Sequence, residues 1–133
     1  MTYPFTKRKN VKTSDISSSP ILIFGNDQYT CRIESIIVTN TSEPDEECIV
    51  TLYCLPDVQQ TLRDRQFTPD SLSDQDGSHM VKSHIVIPPY GMVDVLSHTF
   101  LNMEPGDILF AYSNAAFSTF NTWINYSEFQ QLT

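Results

Sequence analysis

The sequence has little charge, few cysteines and no long apolar run, and each shortage argues against a class of protein. Charged residues make up 18% of the 133 residues, against about 25% in an ordinary globular domain. The three cysteines are an odd set without a C-x-x-C pair, which argues against the disulfide framework of a small secreted domain. No apolar run approaches a membrane span, and residues 1–19 are too polar for a secretory signal. We therefore expect a chain that is made in the cytosol and either stays soluble there or leaves only within an assembly.

Charge is also distributed unevenly along the chain. Half of the eight basic residues precede the first acidic residue, and they are Lys7, Arg8, Lys9 and Lys12. The side chains of the first 14 residues sum to a charge of +4. Since the net charge of the whole chain is −8, the remaining residues sum to −12. An acidic body offers phosphates no basic face, so nucleic acid is not an expected partner. The basic segment is either a solvated tail or an arm that docks on the acidic body of a neighbouring subunit.

The chain length favours one domain, preceded here by an arm. Residues 1–19 lack hydrophobic periodicity and are predicted to be an extended arm, so ordered structure is expected to begin at Ile21. The domain is predicted to span residues 20–133, with a polar insertion at 56–79 whose weak helix candidate is 58–65. An insertion of this length is typically functional or disordered.

Short strands separated by turns account for the rest of the chain. From Tyr29 to Asn40, and again from Cys48 to Leu55, residue types alternate with the period of two of a half-buried strand. In the turn of residues 104–107, Pro105 and Gly106 predict a type II geometry with Gly106 at positive φ. Seven or eight strands at this spacing predict an all-β fold, namely an antiparallel β-sandwich of jelly-roll or immunoglobulin type.

No residue pattern identifies an enzyme, a metal site or a cofactor. His79, His84 and His98 lack the H-x-H and H-E-x-x-H spacings. A chance cross-strand pair of His84 and His98 is therefore preferred to a metal site. The serines lack a G-x-S-x-G elbow. The acidic stretches at 43–47 and 70–77 are interpreted as solvated loops, with a weak calcium site as the alternative. We assign no catalytic, cofactor-binding or metal-binding residue.

The three cysteines are interpreted as buried free thiols. Cys48 and Cys54 lie on one predicted strand, about 20 Å apart at the usual rise per residue. A disulfide requires Cα atoms within about 7 Å, so these two residues do not bond each other. Cys31 would reach either of them if its strand paired with theirs.

Aromatic residues are dense towards the C-terminus. We interpret them as a sandwich core together with one apolar face that a neighbour covers. Tyr90, Trp123 and Tyr126 are the aromatic candidates for such an interface. The alternative is a platform on which carbohydrate stacks.

Four short segments resemble those of small virion structural proteins of tailed bacteriophages. The patterns are I-x-S-I-x-V-x-N-T-S within Cys31–Ser42, V-T-L-Y at 50–53, I-P-P-x-G at 87–91 and L-x-L-x-x-G-D-x-L at 101–109, where Met103 stands in place of the second leucine. The resemblance covers roughly residues 30–126 apart from the insertion. It implies a non-catalytic sandwich on a tail, baseplate, collar or head surface. The basic arm and the insertion depart from the pattern and leave the position within the virion open.

Two functions are therefore expected. The first is a structural protein that resides in the virion after synthesis in the host cytoplasm and contacts copies of itself and other virion proteins, with no membrane involved. The second is a carbohydrate-binding or host-receptor-binding module whose ligand is a glycan of the host surface. The exposure of Trp123 distinguishes them, because a buried ring favours the structural role and an exposed ring beside amides favours sugar binding.

Overall fold

The computed structural model describes residues 2–16, 19–40, 47–57, 59–97, 99–113 and 118–131. These residues form nine strands in two antiparallel sheets and one short helix, which confirms the predicted all-β sandwich. The elements are β1 (Thr2–Ile16), β2 (Ile21–Gly25), β3 (Thr30–Asn40), β4 (Cys48–Pro56), α1 (Pro69–Ser73), β5 (His79–Ile87), β6 (Met92–Asp94), β7 (Leu101–Met103), β8 (Asp107–Ser113) and β9 (Ser118–Gln131).

The strand order selects one of the two expected sandwich types. The first sheet has the order β1-β9-β3-β6, with β7 also paired to β3, and the second sheet has the order β2-β8-β4-β5. Because β6 and β7 pair with the two ends of β3, they are pieces of one interrupted strand. The pairs are then nested: β1 with β9, β2 with β8, β3 with β6 and β7, and β4 with β5. This nesting is the double-sheet architecture of a jelly roll.

The core lies between the inner faces of the two sheets. Along β3 the buried and half-buried residues alternate, and a register shift between Ile33 and Ser35 keeps Ile36 and Val38 on the inner face. Along β4 the same alternation puts Cys48, Val50 and Leu52 inside. The inner faces bury one continuous apolar cluster whose members include Ile23, Phe24, Cys31, Ile33, Leu52, Ile87, Met103, Leu109 and Ile124.

The first strand extends the first sheet, where the sequence predicted an arm outside the domain. Its backbone pairs with β9 from Thr2, opposite Gln131, to Ile16, opposite Ser118. The segment is extended as predicted, but the expectation that ordered structure begins at Ile21 is wrong. Hydrophobic periodicity missed this strand because an edge ladder depends on backbone hydrogen bonds and needs no apolar alternation.

The insertion covers the outer face of the second sheet. Phe67 and Leu72, which are 4% and 0% exposed, pack against outward-facing residues of β4 and β8. The rings of Phe67 and Phe110 meet edge to face with centroids 5.4 Å apart. We call this second cluster the insertion core, and its buried members are Tyr53, Leu55, Phe67, Leu72, Ile108 and Phe110. A few apolar residues therefore anchor a segment whose composition suggested a solvated loop.

The helix of the insertion is α1, not the predicted 58–65 segment. Thr68 is its N-cap: the Thr68 side chain accepts a hydrogen bond from Ser71 N at 3.1 Å, and Ser71 Oγ accepts one from Thr68 N at 2.8 Å. Pro69 occupies the first turn, where a missing N–H is tolerated. This reciprocal capping starts the helix and places Leu72 in the insertion core.

The turn between β7 and β8 has the predicted geometry. Gly106 has a φ of +93°, and Asp107 N donates to Glu104 O at 3.0 Å. The backbone of Gly106 also joins two other loops, since its N–H donates to Asn26 O and its carbonyl accepts from Asp57 N. The turn therefore links the β2–β3 connection, the start of the insertion and β8 at one end of the sandwich.

Candidate functional site

The outer face of the first sheet carries an apolar patch that no described segment covers. Ile37 lies opposite Trp123, and Met92 lies opposite Thr39 on the same face. Met92 is 71% exposed and Phe100 is 61% exposed, while the other members are half-buried. We call this surface the outer patch, and its members are Ile37, Met92, Phe100, Trp123 and Phe129. The polar residues Ser35 and Asn125 lie between the Met92 end and the Phe100 end of this face, so the outer patch is interrupted. Exposed apolar side chains of this size are candidates for contact with a partner.

The Arg32 side chain contacts the rings of both Phe100 and Phe129 in the outer patch. Its guanidinium carbon lies 5.1 Å from the ring centre of Phe100 and 5.5 Å from that of Phe129. Glu34 lies 3.7 Å from the same guanidinium and accepts a hydrogen bond of 2.6 Å from Ser127. The cation holds both rings by cation–π attraction, so this end of the patch is ordered before any partner arrives.

Polar side chains flank the tryptophan of the patch. Trp123 is half-buried, and Asn121 and Asn125 precede and follow it on the same face of β9. The amide of Asn125 donates to Ser35 Oγ at 2.8 Å. An aromatic ring between two amides is the combination expected of a sugar platform. Trp123 is neither buried nor fully exposed, so its exposure does not distinguish the structural function from sugar binding.

The other two aromatic candidates lie elsewhere. Tyr126 faces the core, where its ring meets that of Phe24 edge to face at 4.7 Å, and burial raises its pKa. Tyr90 is 64% exposed at the tip of the β5–β6 loop and has a φ of +56°. The structure therefore does not bring the three aromatic candidates together on one surface.

The four basic candidates all lie on β1. Arg8, Lys9 and Lys12 occupy register positions opposite Asn125, Ile124 and Asn121 of β9. The side chain of Lys7 is exposed, and its Nζ lies 3.7 Å from Oε1 of Glu128. The predicted basic arm is therefore a basic edge strand. Lysine on an edge strand discourages pairing with a second strand of like charge.

Glu128 is a buried acid at the edge of the core. It is 8% exposed, and its Oε2 accepts a hydrogen bond of 2.7 Å from Nδ2 of Asn26. Oδ1 of Asn26 accepts from the backbone N–H groups of Gln28 and Tyr29, which holds the amide in place. A carboxylate so far out of water requires such partners. Lys7 supplies the opposite charge, so Glu128 depends in part on β1.

The cysteines are free thiols on the inner faces of different sheets. Cys31 lies on β3 in the first sheet, whereas Cys48 and Cys54 lie on β4 in the second sheet. The strand pairing that would have allowed a disulfide with Cys31 is therefore absent. Burial, reinforced by Glu128, raises the pKa of Cys31 to about 11. Burial, reinforced by Asp107, raises the pKa of Cys54 to about 12.

We expect the native thiols to react slowly with Ellman's reagent. At pH 8 the thiolate fraction of Cys31 is about one hundredth of that of an ordinary thiol with a pKa of 9.0, because its own pKa is about 11. The thiolate is the species that attacks the reagent. An unfolded thiol loses its proton above pH 9, whereas the folded thiols keep theirs to about pH 11. The free energy of unfolding should therefore be unaffected by the thiols below pH 9 and should decrease as the pH rises from 9 to 11. Fast reaction of Cys31 in native protein at pH 8 would contradict this assignment.

The remaining polar candidates show no site geometry. Across the described ranges, no group of three or more His, Cys, Asp or Glu side chains is placed to hold a metal ion. His84 is exposed, and its predicted partner His98 lies outside the described residues, as does most of the 43–47 acidic stretch. In the other acidic stretch, Asp70 lies in the first turn of α1 and Asp74 is the C-cap residue.

Sequence reasoning missed most of the outer patch. Strict alternation placed Arg32 and Ile37 on opposite faces of β3, because they are five residues apart. The register shift between Ile33 and Ser35 brings them to one face, and the pairing of β3 with β9 adds Phe129. Phe100 lies in the loop before β7, where the sequence carries no periodic signal.

The chain matches no protein-family model, and no curated protein matches it significantly. In the part of the chain that the structure describes, no helix is long and apolar enough to cross a membrane.

Proposed function

We propose that the protein is a non-enzymatic structural component of a tailed-phage virion that acts by assembling with copies of itself and with other virion proteins. The resemblance of four segments to small virion proteins supports this proposal. The jelly-roll architecture agrees with it, since viral capsid domains use this fold. Because a fold hosts many functions, the proposal depends on the surface rather than on the architecture.

The contrast between the two outer faces carries the proposal. The chain covers the second sheet with its own insertion and buries Phe67 and Leu72 there. The first sheet keeps Met92 and Phe100 exposed on its outer face, with Ile37 half-buried beside them. The insertion covers β4 and β8 but leaves Met80 and Val86 of the edge strand β5 exposed, at 45% and 48%. The side chains of Met92 and Phe100 on the first sheet are more exposed, at 71% and 61%, and this difference favours contact with a neighbour through the outer patch.

We expect the purified protein to form oligomers through the outer patch. Replacing both Met92 and Phe100 with serine should weaken association by about 100-fold or more, because each buried apolar side chain contributes about 1.5–3 kcal/mol. Light scattering after size-exclusion chromatography over a concentration series measures the change. Electron microscopy of labelled particles would place the protein within the virion.

The matched control is Val86→Ser, since Val86 is 48% exposed on the second sheet. This variant should associate like the unmodified protein. A monomer at all concentrations, or equal weakening by the control, would contradict assembly through the outer patch.

The second candidate function is binding of a host-surface glycan. The observation that favours it is the position of Trp123 between Asn121 and Asn125 on a jelly-roll face, since lectin domains share this fold. Trp123→Ala should then abolish binding to the preferred sugar on a glycan array and leave the oligomer mass unchanged. If no sugar binds to the unmodified protein, this candidate fails.

A further inference from the structure

The described contacts between β1 and the first sheet can be made by β1 of the same copy or by β1 of a second copy of the chain. The strand lies at the edge of the first sheet and pairs along its length with β9. The β1 side chains whose burial the structure describes are Phe5 and Lys7, and both are exposed. The described contacts that hold the strand are its backbone ladder with β9 and the Lys7–Glu128 ion pair. Both interactions are equally available to the β1 of a second copy.

A short connection joins β1 in the first sheet to β2 in the second sheet. Ile16 ends β1 in the first sheet and Ile21 begins β2 in the second, so only residues 17–20 join the two sheets. The sequence of this connector is Ser-Ser-Ser-Pro. Pro20 biases the residue before it, Ser19, away from helical backbone. Short hinges of this kind favour exchange of the preceding element.

Charge permits a neighbour as the acceptor and opposes a direct contact between two β1 edges. The first 14 residues carry +4 and the remainder of the chain carries −12. Two copies that met through the free edges of their β1 strands would bring like charges together, which opposes that contact. Exchange instead places each basic strand on the acidic body of another copy.

We propose that β1 is an exchangeable strand that pairs with β9 of a second copy of this chain, so that each copy completes the first sheet of its neighbour. The proposal rests on the assembly function proposed above. The Lys7–Glu128 pair selects the acceptor, because β9 without β1 leaves the buried Glu128 carboxylate without its lysine.

Disulfide trapping in the full-length chain tests the exchange. Thr6 and Ser127 lie directly opposite each other on β1 and β9, and cysteine is close in size to both. Opposed residues of antiparallel strands have Cα separations of about 4.5–5.5 Å, which permit a disulfide. The control is the opposed pair Ser35 and Asn125 on β3 and β9, strands that belong to the same copy in either arrangement.

We expect oxidised Thr6→Cys/Ser127→Cys protein to run as covalent dimers or larger species on a non-reducing gel. The Ser35→Cys/Asn125→Cys control should run as a monomer. The native thiols are retained in both variants because they are buried or half-buried. Monomeric bands from a protein whose mass in solution is oligomeric would overturn exchange and leave the assembly function standing. Monomeric bands from a protein that is also a monomer in solution would overturn both.

A charge-exchange mixture tests the same proposal without a covalent bond. Lys7→Glu alone and Glu128→Lys alone each place like charges together, so each should lower the thermal midpoint. After the two variants are unfolded and refolded as a mixture, exchange pairs the substituted glutamate of one variant with the substituted lysine of the other. It also pairs the native Lys7 of one variant with the native Glu128 of the other. The mixture should then melt about 4 °C or more above the better single variant. A melting curve that is only the average of the two variants overturns the exchange.

Discussion

Phe67→Ala is expected to lower the free energy of unfolding by about 3–5 kcal/mol, the range for removing a buried aromatic side chain. Phe67 is 4% exposed and contributes the ring that meets Phe110 edge to face. Its loss leaves a cavity between the insertion and the second sheet. Residues 59–78 then lose their main anchor besides Leu72. Urea unfolding followed by tryptophan fluorescence measures the change.

The matched control for this prediction is Phe100→Ala. Phe100 is the same residue type but is 61% exposed, so truncation should change the unfolding free energy by less than about 1 kcal/mol. The two variants also separate stability from assembly, because Phe100 belongs to the outer patch and Phe67 does not. A loss below about 1 kcal/mol for Phe67→Ala would show that the insertion is not part of the folded core.

Asp57→Ala is expected to destabilise the protein by about 2–3 kcal/mol, since it leaves buried donors without an acceptor. The Asp57 carboxylate accepts hydrogen bonds from the backbone N–H groups of Thr61, Leu62 and Arg63, at 2.9, 3.0 and 3.2 Å. It also pairs with Arg63 Nε at 3.4 Å. Arg63 in turn binds Asp27 through both terminal nitrogens, and these contacts raise its pKa.

This network makes Asp57 the residue that fixes the first turn of the insertion. The exposed Asp64 lies in the same loop, so Asp64→Ala is the control and should change the unfolding free energy by less than about 0.5 kcal/mol. Limited proteolysis adds a local readout, because cleavage within 59–66 should become faster in Asp57→Ala. Equal stability and equal cleavage rates in the two variants would contradict the assigned role.

The insertion covers one sheet of the sandwich, and the outer patch lies on the other sheet. The insertion has enough apolar residues to cover the second sheet, and its anchors Asp57, Phe67 and Leu72 all serve that sheet. The chain has no comparable segment among its described residues for the first sheet. Under the proposed assembly function, a second copy or another virion protein would cover the outer patch.

Alternation and turn chemistry determined much of this protein from the sequence alone. The period of two identified the inner face of β4 and of the first part of β3, because successive side chains of a strand point to opposite sides. Beyond Ile33 the prediction was wrong, since a register shift turns Ile36 inward and Ile37 outward. Gly106 identified its turn, since only a residue without Cβ adopts positive φ at low cost. These are local properties, and each is encoded by the residues that display it.

Only the tertiary structure decided which strands are neighbours and which faces are covered. β1 pairs with a strand more than 100 residues away, and the apolar pattern along residues 2–16 carries no sign of that ladder. The spacing of Trp123 and Tyr126 along β9 puts them on opposite faces, but only the packing of Tyr126 against Phe24 shows which face is the core. Packing of Phe67 on one sheet, and of no described segment on the other, follows from contacts between distant parts of the chain. Such contacts depend on the three-dimensional arrangement of the strands, which local sequence pattern does not specify.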